Sequence, residues 1–265
     1  MAENTAGLRG ITAGETALCT VGQAGTGLTY RGYDIHDLAE RAEFEEVAHL
    51  LLHGELPTAS QLEAYQQRLK GLGKLPVALR EVLERIPADA HPMDVMRTGC
   101  SMLGNLETEA DFSEQDAHID RMLATFPGII TYWYRYTRDG ERIETDSDEA
   151  STGAHFLRLL HGRTPDPLHV KVMQASLILY AEHEFNASTF TARTCASTLS
   201  DIHSCITGAI GSLRGPLHGG ANEAAMAMIE DWQTPDEAER ELMGMFERKE
   251  KIMGFGPAIY RKSDP

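Results

Sequence analysis

The sequence predicts an all-α protein, a layered assembly of helices with one small β element near the N-terminus. Three observations carry this. Apolar residues recur at three- and four-residue spacing through most of the chain, the period of a helix with one buried face. Capping signatures punctuate those stretches. Only residues 17–30, ALCTVGQAGTGLTY, have hairpin character, two short β-prone runs around a glycine-rich turn.

After the hairpin, Asp34 can cap a short helix through Leu38. FEEVAHLLLHG then places Phe44, Val47, Ala48, Leu51 and Leu52 on one helical face, with Gly54 as its stop. Thr58 and Gln61 form a capping box that opens the next helix. Further helices are expected near residues 77–85 and around HPMDVMRTGCSML. Residues 115–138 are long enough for more than one helical pass and end in an aromatic group, Tyr132, Trp133, Tyr134 and Tyr136. A charged connection leads to GAHFLRLLHG, closed by Gly162.

Pro165 and Pro167 precede LHVKVMQASLILYAEH, whose all-round apolar centre suggests burial on several sides, with His183 at its end. TFTARTCASTLSDIHSCITGAIGSL is rich in small residues that permit close helix–helix approach. Thr234, Pro235 and Glu237 then supply a cap, a first-turn proline and a completed box for a last helix.

With 265 residues, 42% hydrophobic and 24% charged, the chain can bury one large core, or one core and a smaller lobe. A net charge of −16 argues against nucleic acid or an anionic membrane as partner, although a local cluster of Arg and His can still hold a small anion. No apolar run approaches the ~20 residues of a membrane span. The first residues lack the basic and apolar regions of a signal peptide. Cys19, Cys100, Cys195 and Cys205 form no paired motif, so they read as reduced thiols and the compartment as cytoplasm.

Three stretches could carry chemistry. In LRGPLHGGANE, residues 213–223, a single histidine stands between Gly-Pro and Gly-Gly just ahead of a helix. Proline fixes φ, and paired glycines admit φ values that other residues avoid, so His218 reads as an imidazole held in a defined direction. The positive end of the following helix disfavours imidazolium, and a neutral ring there can donate one N–H to a developing oxyanion.

In YAEHEFNASTF, residues 180–190, His183, Glu184, Asn186 and Ser188 crowd a helix junction; a polar cap and a ligand site both fit this pattern. KIMGFGPAIYRKSDP, residues 251–265, sets Gly254 and Gly256 around Phe255, and could be a surface loop or a cradle for a phosphate or flat ring. A metal site of His183, Glu184 and His218 lacks the spacing of H-E-x-x-H. The other histidines, His155 and His203 among them, read as structural or surface residues, as does His91, although its place before Pro92 at a helix entry would let it approach the site.

In this order the three stretches resemble the citrate synthase family: its histidine turn, its oxaloacetate-binding segment and its coenzyme A loop. LTYRGYDIHDLAE, FEEVAHLLLHGELP and HPMDVMRTG are similar to the family's large helical domain, so the likeness spans almost the whole chain. ALCTVG, YWYRYTRDGERI and GAHFLRLLHG most resemble its propionyl-CoA branch, the 2-methylcitrate synthases.

The resemblance implies an acyltransferase that condenses propionyl-CoA with oxaloacetate, then hydrolyses the thioester to release 2-methylcitrate and CoA. Citrate synthesis from acetyl-CoA is the alternative, and a non-catalytic dimeric scaffold with a residual anion site a further one. It implies His218 as the donor to the thioester oxygen, and Ser188 as the partner of its other ring nitrogen. His183 and Asn186 would bind oxaloacetate; Lys251, Ile252, Met253, Gly254 and Phe255 would line the coenzyme. No permanently bound cofactor is implied, the coenzyme A thioester being a co-substrate.

The implied organisation is a large helical domain over residues 1–220, carrying the dimer contact and the oxaloacetate site, and the incomplete start of a small CoA-binding domain over residues 221–265. Two features depart from the pattern. Pro257 stands where the family has a second histidine, and the family's catalytic aspartate and carboxylate-binding arginines are expected beyond residue 265. The 265-residue chain is therefore expected to have little or no synthase activity by itself.

Overall fold

A computed structural model describes residues 13–22 and 27–254. Among them are three strands and twelve α-helices, so the all-α expectation with a small N-terminal β element holds. Strands β1 (Cys19–Val21), β2 (Leu28–Tyr30) and β3 (Tyr33–Asp34) form one antiparallel sheet, Cys19 opposite Tyr30 and Thr29 opposite Asp34. This sheet packs on α1 (Ile35–Arg41), capped by Asp34, and on α2 (Phe44–His53), closed by Gly54 in the left-handed region at φ 92°.

Helix α3 (Ala59–Leu72) opens with the Thr58–Gln61 box, and α4 (Val77–Leu83) leads to α5 (Pro92–Leu106). Residues 115–139 make one helix, α6 (Gln115–Asp139), where the sequence suggested more than one pass. Its interior Pro127 does not end it. Met122, Ile129, Tyr132 and Trp133 are all buried along the helix, and the Thr131 hydroxyl donates to the Pro127 carbonyl at 2.7 Å. Packing outweighs the lost backbone bond.

Helix α7 (Thr152–His161) precedes α8 (Pro167–Leu179), α9 (Ala187–Ala196) and α10 (Ile202–Leu213). Two expectations for α8 fail. It stops four residues before His183, and it is not buried on several sides: Leu168 and Val172 face outward, 65% and 57% exposed. Helices α11 (Gly220–Glu230) and α12 (Pro235–Glu247) complete the order. The Glu237 amide donates to the Thr234 hydroxyl oxygen as expected, but the Glu237 carboxylate accepts from the N–H of Gln233, so the box is not closed on the cap residue.

The main core lies among α4, α5, α6 and α10, and a second joins the sheet to α1, α2 and Ile178 of α8. Neither α11 nor α12 contains a fully buried residue. Between the other helices, Glu45 is a buried tie, accepting from the Thr152 amide at 2.6 Å and the Gln174 side chain at 3.1 Å. No helix among the described residues is long and apolar enough to cross a membrane.

Candidate active site

His218 occupies the short turn between α10 and α11. The glycines around it do not serve the unusual φ values the sequence suggested. Gly219 is helical, at φ −59° and ψ −31°, and neither Gly215 nor Gly220 has positive φ. They are needed for space. A Cβ at Gly219 would stand 2.5 Å from the Leu213 carbonyl oxygen, and one at Gly220 would stand 3.0 Å from that of Gly215. The turn folds back onto the end of α10, closed by amide bonds from His218 and Gly220 to the Gly215 carbonyl at 3.0 and 3.2 Å.

Across the turn stands the start of α9. The Ser188 amide donates to Nε2 of His218 at 3.3 Å, and the Ser188 hydroxyl lies 2.9 Å from the same nitrogen. A backbone N–H cannot accept, so Nε2 is the acceptor and the proton of the neutral ring sits on Nδ1. Burial holds the ring's pKa below its ordinary value, which favours that neutral form. Asn186 caps α9: its Oδ1 accepts from the Thr189 amide at 3.0 Å and lies 2.7 Å from the Ser188 hydroxyl. Asn186, Ser188 and His218 thus form one chain of polar contacts.

His183 lies half-buried on the turn between α8 and α9. The N-terminal sheet holds that turn. The Tyr30 hydroxyl donates to the Ile178 carbonyl at 2.9 Å and accepts from the Glu182 amide at 3.3 Å. The Glu184 amide donates to Sγ of Cys19 at 3.1 Å, and Glu184 itself is in the left-handed region at φ 57°. Burial, then the neighbouring Glu182 carboxylate, pushes the Cys19 thiol up to about 12, so Cys19 is an inert acceptor rather than a nucleophile. Arg193 lies over the Phe185 ring at 4.8 Å.

The third predicted stretch is described only in part. Lys251 and Gly254 are exposed, while Ile252 and Met253 are half-buried. Gly254 has φ 85°, and a Cβ there would lie 3.1 Å from that of Ala225 in α11. Phe255 and Pro257 lie outside the described residues.

His91, which its place before Pro92 at a helix entry allowed to approach the site, does reach this region. Its Nδ1 accepts from the Met93 amide at 3.1 Å, capping α5, and its Nε2 lies 2.9 Å from Oε2 of Glu223. His-Pro at a helix start signals the cap; nothing local signals a partner 132 residues away.

Two hollows elsewhere suit an anionic substrate poorly. One beneath α3 and α7, beside Glu45 and His155, holds about 30 Å³, room for a water or two. Another, of about 530 Å³, is lined by Glu144, Asp146, Asp148 and Glu149. Among the described residues no group of three or more His, Cys, Asp or Glu side chains is arranged to hold a metal ion.

Residues 7–265 match the family described as citrate synthase, C-terminal domain. The chain belongs to the citrate synthase family. It is 72% identical to a 2-methylcitrate synthase of Shewanella oneidensis, over 98% of this chain and 69% of that protein. It is 41% identical to citrate synthase 2 of Bacillus subtilis, covering 98% of this chain and 70% of the relative. A solved citrate synthase of Thermoplasma acidophilum, in ternary complex with carboxymethyl coenzyme A and oxaloacetate, superposes with a TM-score of 0.88 at 29% identity, over 97% of this chain and 68% of that one. The citrate synthase fold, read from the sequence as a resemblance, is thus the fold observed.

Proposed function

We propose that the chain forms the oxaloacetate-binding and enol-stabilising part of a 2-methylcitrate synthase, an acyltransferase joining propionyl-CoA to oxaloacetate. The observation that carries the chemistry is the bond from the Ser188 amide to Nε2 of His218, which leaves Nδ1–H as the ring's donor. The 72% identity to the Shewanella oneidensis enzyme, against 41% to citrate synthase 2, favours the propionyl branch over the acetyl one.

In this reading a carboxylate removes a proton from the α-carbon of propionyl-CoA, and charge moves onto the thioester oxygen. His218 Nδ1–H donates to that oxygen, lowering the barrier as a preoriented donor does, by roughly 2.7–4 kcal/mol. The α-carbon then forms a bond to the ketone carbon of oxaloacetate, whose oxygen takes up a proton. Water next attacks the thioester, the C–S bond breaks, and CoA leaves as the thiol.

His183 contacts the oxaloacetate dianion, and Asn186 serves the site through its cap on α9 and its contact with Ser188. The stretch from Lys251 to Phe255 lines the coenzyme, which is a co-substrate and not a resident cofactor. Residues 1–220 form the large domain and residues 221–265 begin the small one, a division supported by the shallow burial of α11 and α12. A homodimer is supported by α9, which has no fully buried residue, and by the outward apolar face of α8. The compartment that suits this reaction and these free thiols is the cytoplasm.

The test joins residues 1–254 to the remaining segment of the Shewanella oneidensis enzyme and follows CoA release from propionyl-CoA and oxaloacetate. Turnover that is faster with propionyl-CoA than with acetyl-CoA is expected. The 265-residue chain alone should release little CoA, since Pro257 can neither donate a hydrogen bond nor titrate. An inactive but folded chimera that fails to bind oxaloacetate overturns the reading.

A further inference from the structure

The segment after His218 is poorly anchored by apolar packing. Helix α11 has no fully buried residue, and Leu217 is 84% exposed. Polar contacts take over, and they come from two places. At the start of α5, the cap residue His91 meets Glu223 at 2.9 Å, and Asp94 lies 3.6 Å from Nε of Arg214. Asp94 is also paired with Arg97 at 3.1 Å, which holds its carboxylate on this face. At the end of α8, the Tyr180 hydroxyl accepts from the Asn222 side chain at 3.0 Å.

Arg214 and Glu223 bracket the histidine turn, and the residues that hold them, His91 and Asp94, are the cap and the third residue of α5. Because His91 Nδ1 already accepts from the Met93 amide, its Nε2 carries the proton and donates to Glu223. The His91 ring is therefore fixed in plane by two bonds at opposite ends.

We propose that these contacts form a frame that sets the direction of the His218 ring, with His91, Asp94 and Tyr180 as positioning residues. The inference rests on the donor role given to His218 above. Helix α11 begins two residues after His218, so a tilt of its first turn carries the imidazole with it. Ser188 cannot follow, since it is tied to α9 through the Asn186 cap. A tilt of that kind breaks the bond from the Ser188 amide to Nε2 and frees the ring to exchange tautomers, and a displacement of about 1 Å is enough to matter for catalysis.

The experiment uses the 265-residue chain labelled with 15N-histidine, with the ring nitrogens of His218 assigned through His218→Gln. The wild type should show one tautomer, protonated at Nδ1. In Glu223→Ala the two nitrogen shifts should move toward each other as tautomers exchange. The Tm should stay within about 3 °C, because exposed pairs contribute little stability. Glu223→Gln keeps an acceptor for His91 and should restore the single-tautomer signature. Asp94→Asn and Tyr180→Phe should each shift the signal part of the way, and Tyr180→Phe decides the matter should Glu223→Ala unfold.

An unchanged His218 signature in the folded variants, or a Glu223→Gln shift as large as that of Glu223→Ala, overturns the proposal. Failure of the donor role itself would look different: a chimera without turnover whose His218 still holds one tautomer.

Discussion

The Ser188 amide donates to Nε2 of His218 at 3.3 Å, while the Ser188 hydroxyl, 2.9 Å from the same nitrogen, spends its proton on Oδ1 of Asn186. No substitution of the side chain removes the amide, so the tautomer does not depend on the hydroxyl alone. In the active chimera, Ser188→Ala should lower kcat by about 10-fold, whereas His218→Gln should lower it by roughly 10²–10³, the loss typical of one oxyanion donor. Equal losses in the two variants would mean that the hydroxyl alone fixes the ring.

The histidine turn should be intolerant of one methyl group. At Gly219 a Cβ meets the Leu213 carbonyl oxygen at 2.5 Å, a backbone atom that cannot swing aside. Gly219→Ala should cost about 1–3 kcal/mol and displace His218. Gly71, in α3, has nothing within 4 Å of its Cβ position, so Gly71→Ala should stabilise by roughly 0.5–1 kcal/mol. Thermal melts of the two variants should move in opposite directions.

Much of this fold is legible because its signals are local. Thr58 with Gln61, Asp34 before its helix, and Gly54 and Gly162 after theirs all act within one helical turn, and each does what its chemistry suggests. The misreadings share a cause. Residues 115–138 read as room for more than one pass from their length, whereas the buried Ile129 and Tyr132 hold one helix through Pro127. The glycines at 219 and 220 read as φ residues because their need, contact with backbone several positions earlier, appears only in three dimensions. Within the candidate site, His218 and Ser188 are legible as a resemblance, while the bonds from His91 and Tyr30 span 132 and 152 residues.

The hairpin gains a purpose from the last of these. The Tyr30 hydroxyl is the polar link between the end of α8 and the turn that carries His183, and Tyr30 is fully buried. Tyr30→Phe keeps the ring and leaves the Glu182 amide without its acceptor, a loss of about 1–3 kcal/mol. Oxaloacetate binding, followed by calorimetry, should weaken by more than this lost stability explains in Tyr30→Phe. It should weaken less in Cys19→Ser, where a hydroxyl can still accept from the Glu184 amide. Unaltered oxaloacetate affinity in a folded Tyr30→Phe would show that the sheet merely packs.

Acid should destabilise the protein in two separate windows. Burial holds the pKa values of His155, His203 and His218 below the ordinary value, so below about pH 6.5 the unfolded chain binds protons that the folded chain resists. Stability therefore falls as the pH drops from there to the depressed folded-state values. The Arg142 and Tyr132 hydrogen bonds hold Glu84 down to about 2, so its contribution is present above about pH 4.5 and is lost toward pH 2. Glu43 and Glu182, raised by burial, act in the opposite sense as the pH falls toward 4.5.

Comparing one variant with the wild type cancels those carboxylates. His155 has Nδ1 bonded to the Ser147 hydroxyl at 2.8 Å and Nε2 buried without a partner, so its charged form has little to gain in the fold. Between pH 7 and pH 5.5 the Tm of His155→Asn should fall less than that of the wild type, by roughly 2–4 °C for each 1 kcal/mol recovered. Parallel Tm curves for the two proteins would mean that His155 takes up its proton as easily in the folded state as in the unfolded one.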